Sequence, residues 1–135
     1  TGPATVTGKH RNGRRARGFT LVELLLVLFV VAMLASLVAP MVTSSIQRAR
    51  ESTLREDLRV LRKAIDDFYG DTGKYPESLE TLAEKRYIRK VPVDPITDRA
   101  DSWIAVRGED ANSGVMDVRS GSDEQAADGS RYQDW

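Results

Sequence analysis

The stretch RGFTLVELLLVLFVVAMLASLVAP, residues 17–40, decides how this chain is built. Residues 24–39 carry no charge, and the apolar run widens to residues 19–42, interrupted by Glu23 and Pro40. Coiled as a helix, that run is about 36 Å long, enough to cross a hydrocarbon core of about 30 Å. Lys9, Arg11, Arg14, Arg15 and Arg17 precede it without a single acid. Such a basic flank keeps residues 1–18 on the cytoplasmic side and sends the rest of the chain outward.

Three precursors fit a basic flank followed by an apolar run. A secretory signal needs a small-x-small cleavage site near the end of the run. Ala35-Ser36-Leu37 and Ala39-Pro40 serve badly, because proline follows directly. The second is a plain anchor. The third is cut on the cytoplasmic side and keeps its apolar helix. Glu23 separates the last two: an acid inside an apolar span costs about 2.5–3.5 kcal/mol on insertion scales, which a plain anchor has no reason to bear.

Glu23 is the fifth residue after Gly18, and the whole string resembles the class III signal of type IV pilins and type II secretion pseudopilins. The resemblance implies that prepilin peptidase, a membrane aspartyl protease, cuts after Gly18. It implies that the new amino-terminal Phe19 is methylated and that Glu23 is the assembly glutamate. Physically, the amine freed on Phe19 gives a neighbouring subunit's Glu23 carboxylate the positive partner that low dielectric demands. The alternative is a Glu23 simply hydrated among headgroups. Pro40 removes one backbone donor and crowds the turn near Ser36. It reads either as a kink at the membrane surface or, following the resemblance, as a point where the helix loosens inside a fibre.

Past the membrane run, Leu54, Leu58, Leu61, Ile65 and Phe68 fall at helical spacing and form one apolar stripe. Glu51 and Arg55 read as an exposed i,i+4 pair beside it. The expectation is one helix from about Leu21 to Tyr69, stopped by Gly70 and Gly73. ESLETLAEKR after Pro76 reads as a short helix, with Leu79, Leu82 and Ala83 on one face. VPVDPITDRA reads as a proline-rich loop. Residues 102–107 and 114–120 read as two short strands around a turn at residues 109–113. Tyr132 and Trp135 close a polar tail and are expected to dock it back. The fold class is therefore α+β: a long amino-terminal helix, membrane-spanning in its first half, packed on a small domain with a short helix and a small antiparallel sheet, as in pilins. Residues 1–18 are the leader, 19–42 the transmembrane and assembly helix, and 43–135 a periplasmic domain.

AIDDFYGDTGKYPESLETL, then VPVDP, a strand containing Trp103 and a closing DGSRYQDW together resemble the major pseudopilin of type II secretion, the general secretion pathway protein G family. That resemblance implies a structural subunit of the inner membrane and periplasm, driving protein export across the outer membrane. Its implied partners are copies of itself, other pseudopilins, prepilin peptidase and an inner-membrane assembly platform. A type IV pilus, DNA-uptake or minor pseudopilin subunit is the alternative. Family members often hold calcium in their last loop. Here Asp123 and Asp128 would supply carboxylates, among Ser120, Ser122, Ser130 and Asp134, and calcium takes six to eight oxygens. The spacing of these acids from Trp135 departs from the family's loop. The second possibility is that DGSRYQDW locks the loop by side-chain contacts.

Composition narrows the remaining choices. The 135 residues include no cysteine and one histidine, His10, in the leader, so a thiolate or zinc site has no ligands to draw on. No phosphate-binding glycine loop or serine elbow is present, and Asp66 and Asp67 are neighbours on a helix that point apart. An enzyme is not expected. Without the leader, 20 basic residues become 15 against 20 acids, about −5. The acids concentrate in residues 94–135, where 10 face 4 basic residues, and nucleic acid is not an expected partner.

Overall fold

Helix α1, Leu21–Thr72, is 52 residues long and takes in both the apolar run and the amphipathic stripe. The computed structural model describes residues 1–6, 8, 17–110 and 112–135. Lys9, His10, Arg11, Arg14 and Arg15 of the leader lie outside the described residues, as does Ala111 of the expected turn. The chain falls into two compact units, Thr1–Ala39 and Pro40–Trp135.

In the first unit the helical residues 21–39 bury none of their large apolar side chains. Their exposure runs from 46% at Val30 to 75% at Leu21. That surface needs lipid or other apolar helices to cover it. By length and composition, α1 holds one candidate membrane span near the amino terminus.

The second unit is built on the later turns of α1. Leu54, Leu58, Leu61, Ala64 and Ile65 are buried on one stripe, as the spacing predicts. They join Leu79, Leu82, Trp103, Val115, Val118, Ala126 and Tyr132 in a single core. Each large member contributes about 1.5–3 kcal/mol by leaving water. Helix α1 continues through Gly70 and ends at Thr72, three residues beyond the expected Tyr69. The stop is Gly73, whose φ of 72° suits only glycine cheaply and whose N–H reaches the Tyr69 carbonyl at 2.8 Å. Gly70 merely weakens the last turn.

Helix α2, Leu79–Glu84, is capped by Ser78, whose hydroxyl accepts from the Thr81 N–H at 3.3 Å. Strands β1, Ile104–Arg107, and β2, Val115–Arg119, pair antiparallel. They are shorter than the expected 102–107 and 114–120. Trp103 stands just before β1, with its indole donating to the Pro92 carbonyl at 2.8 Å. Gly114 passes so close to the chain before α2 that a Cβ would sit 2.5 Å from the Tyr75 carbonyl oxygen. The register Ile104 with Arg119, Ala105 with Val118 and Val106 with Asp117 slips at Arg107, which faces Val115. The slip leaves Met116 as the extra residue of a bulge. A 3-10 turn, Tyr132–Asp134, ends the described chain and buries Tyr132. The chain is α+β, as its sequence predicts.

Candidate processing site and carboxy-terminal lock

Gly18, Phe19 and Thr20 are exposed and lie outside any regular element, immediately before α1. The Thr20 hydroxyl accepts the Glu23 N–H at 3.2 Å, and its carbonyl accepts the Leu24 N–H at 3.1 Å. Thr20 is thus the N-cap, and Thr20-Leu21-Val22-Glu23 has the spacing of a capping box. Glu23 occupies the first turn, where the positive end of the helix dipole favours an acid. The sequence reading missed this role, although the T-x-x-E pattern announces it. A Cβ added at Gly18 would meet nothing within 4 Å, and its backbone is not left-handed. Among the described residues, nothing requires glycine at that position.

α1 runs unbroken through Pro40. Hydroxyls on both sides of it bond back to helical carbonyls: Ser36 to Met33 at 2.7 Å, and Ser44 and Ser45 to Met41 at 3.0 and 2.9 Å. Such back-bonding weakens a helix locally.

The carboxy-terminal segment docks on α1 through polar groups. Glu51 is buried, 8% exposed, and is not the exposed partner of Arg55 that its i,i+4 spacing suggests. It extends the Leu54–Leu58–Leu61–Ile65 stripe one step back, which is the signal that places it inward. Its Oε1 accepts from the Ala127 N–H at 2.9 Å, the Tyr132 hydroxyl at 3.0 Å and Gln47 Nε2 at 3.4 Å. Burial pushes the Tyr132 phenol above its ordinary range; the Gln47 hydrogen bond opposes the shift and the Glu51 carboxylate adds to it. Arg55 lies over the Trp135 ring, 4.3 Å from its centroid. Arg62 donates to Asp117 Oδ1 at 2.8 Å and to the Trp135 main-chain oxygen at 2.5 Å.

Asp94, expected in a loop, is completely buried. Its carboxylate accepts from the Ser120 hydroxyl at 2.6 Å and from the N–H groups of Ile96, Gly121 and Thr97. Among the described residues, no buried side-chain nitrogen or oxygen lacks a partner.

Part of the donor set expected for calcium is committed to other bonds. Asp128 Oδ1 accepts from the Ser130 N–H at 2.9 Å and the Ser130 hydroxyl at 2.6 Å. The Ser130 hydroxyl, and then its N–H, hold the Asp128 carboxyl below its ordinary range. Ser120 serves Asp94, and the Ser122 hydroxyl accepts the Glu124 N–H. Asp123 and Asp134 are exposed. Among the described residues no three acids or histidines gather in one place. The acids of this segment are not gathered into a calcium site in this arrangement.

Residues 13–39 match the prokaryotic N-terminal methylation motif. The type II secretion system core protein G of Pseudomonas aeruginosa is 32% identical over 98 residues, covering 61% of this chain and 69% of that one. That of Klebsiella pneumoniae is 33% identical over 98 residues, covering 61% and 70%. That of Escherichia coli K12 is 31% identical over 97 residues, covering 60% and 67%. No solved structure matches the chain significantly. The methylation motif at the start of α1 and the similarity to several core G proteins establish that the chain belongs to the type II secretion system core protein G family.

Proposed function

We propose that this chain is a structural subunit of a type II secretion pseudopilus. Its leader is cut between Gly18 and Phe19 by prepilin peptidase, Phe19 is methylated, and the subunit waits in the inner membrane with residues 43–135 in the periplasm. It then polymerises with its own copies and other pseudopilins on an inner-membrane platform, and the growing fibre drives export across the outer membrane. The reading is supported by the names of its relatives, core components of a secretion system rather than enzymes.

The observation that carries it is the wholly uncovered apolar surface of α1 before Pro40, which starts two residues after an exposed Gly18–Phe19 bond. Apolar helices leaving lipid must be buried against one another, so a fibre core is their natural destination. A glycine beside that bond that no described residue requires agrees with a requirement imposed by a protease. Glu23 carries two tasks in this account. Its N–H completes the cap, and its carboxylate meets the Phe19 amine of the next subunit. Pro40, flanked by back-bonding serines, is where the helix loosens during packing.

The full-length Glu23→Ala variant tests the assembly role. It keeps the backbone N–H that Thr20 caps, so helix and membrane insertion should survive while fibres disappear. Normal fibre assembly by this variant would remove the role from Glu23.

A further inference from the structure

We propose that the carboxy-terminal segment of this chain is closed onto α1 by a direct latch centred on Glu51, in place of the calcium ion expected in the last loop of its family. A buried carboxylate needs either a cation or several donors. Glu51 has donors: the Ala127 N–H, the Tyr132 hydroxyl and Gln47 Nε2 all converge on Oε1. Two of these come from residues 76 and 81 positions later, so this one side chain closes the segment onto the helix.

Asp128 and Ser130, two of the residues that calcium would draw on, are bonded to each other within the segment. Carboxylate, hydroxyl and indole form a relay: Trp135 Nε1 donates to Ser130 Oγ at 2.7 Å, and Ser130 Oγ donates to Asp128 Oδ1 at 2.6 Å. Three backbone carbonyls of the segment accept hydrogen bonds as well. Ser130 O accepts from Ala126 N at 2.7 Å, Ala126 O from Gly129 N at 3.0 Å and Glu124 O from Tyr132 N at 3.2 Å. Gly129 makes that tight return with a φ of 84°. A cation that drew its six to eight oxygens from Asp128 and Ser130 would compete with the relay and the turn. The latch also places Trp135 under Arg55 and within reach of Arg62, which bonds its main-chain oxygen at 2.5 Å.

The test uses the full-length protein in detergent micelles. Thermal unfolding is followed with calcium in excess and with a chelator, alongside limited proteolysis of residues 120–135 in the wild type and Glu51→Ala. The latch predicts the same Tm with calcium and with chelator. It predicts that Glu51→Ala is cleaved in this segment at least about fivefold faster, with no protection restored by calcium. Tyr132→Phe, which keeps the packing and removes one donor, shows a smaller increase and serves if Glu51→Ala does not fold. A calcium-dependent rise in wild-type Tm, or calcium protection of the variants, overturns the proposal. So does a segment whose cleavage ignores both substitutions.

Discussion

The Asp94 carboxylate and the Ser120 hydroxyl are bonded at 2.6 Å across 26 residues of sequence, and both are completely buried. This contact joins the proline-rich loop to the end of β2 with no water between them. Asp94 also accepts the Ile96 N–H at 2.8 Å, which turns the loop back on itself.

Removing Asp94 therefore strands the buried Ser120 hydroxyl and three partly buried N–H groups at once. Asp94→Ala should cost about 3 kcal/mol, and Asp94→Asn somewhat less, because the amide keeps one acceptor but turns a donor toward other donors. Ser120→Ala should cost about 1–2 kcal/mol. Denaturant unfolding of the full-length protein measures all three. A neutral Asp94→Ala would mean that the loop is held by other contacts.

Arg62 offers a test of geometry rather than charge. Its planar fork reaches Asp117 from Nε and both the Val118 and Trp135 main-chain oxygens from one terminal nitrogen. Lysine keeps the charge but has a single ammonium that cannot serve these acceptors together. Arg62→Lys should lose about 1–2 kcal/mol, with the Trp135 fluorescence changing in the folded state. An unchanged stability and spectrum would show that only the charge matters.

Two glycines should respond to alanine with opposite signs. At Gly121 a Cβ would lie 1.9 Å from the Ser102 carbonyl oxygen, so backbone must move, and Gly121→Ala should destabilise by about 3 kcal/mol or more. At Gly70, inside α1, a Cβ meets nothing within 4 Å. Gly70→Ala should stabilise by about 0.5–1 kcal/mol, since alanine is the better helix former. Thermal melts of the two variants against the wild type decide this, and equal effects would contradict it.

Asp57 sets a pH dependence. Burial raises its pKa above the ordinary 3.8, and the negative charges of Asp94 and Glu56 raise it further. The folded chain then holds this proton more tightly than the unfolded chain. Its contribution is fully present well below 3.8 and is lost as the pH rises through the elevated folded value. Asp57→Asn should gain less than about 1 kcal/mol near neutral pH, given the partial exposure of the site, and nothing in strong acid. A gain that persists unchanged in strong acid would point to packing instead of charge.

Local periodicity made much of this fold legible. Leu54, Leu58, Leu61 and Ile65 declare their face because helical spacing is a property of neighbours in sequence, and all four are buried. The strands shortened at their ends for reasons that lie elsewhere in the chain, such as the Gly114 approach to Tyr75. Polar anchors were the harder part. Glu51 fits an exposed pair with Arg55 as well as it fits the buried stripe, and the decision comes from Ala127 and Tyr132. Asp94 looks like an ordinary loop acid until Ser120 and Gly121 fold against it. At the amino terminus the reverse held: Thr20 and Glu23 form a local pattern that was readable from spacing alone. The assembly role given to that same Glu23 depends on a second subunit, so no single folded chain contains it.

The central claim is that the chain is severed beside Phe19 and keeps its apolar helix. The most direct measurement is the mass of the amino-terminal peptide of the protein isolated from native membranes. The account predicts a peptide beginning at Phe19 and carrying one added methyl group. A peptide that still bears Arg17 and Gly18 would contradict it, since the amine that Glu23 needs from its neighbour would not exist.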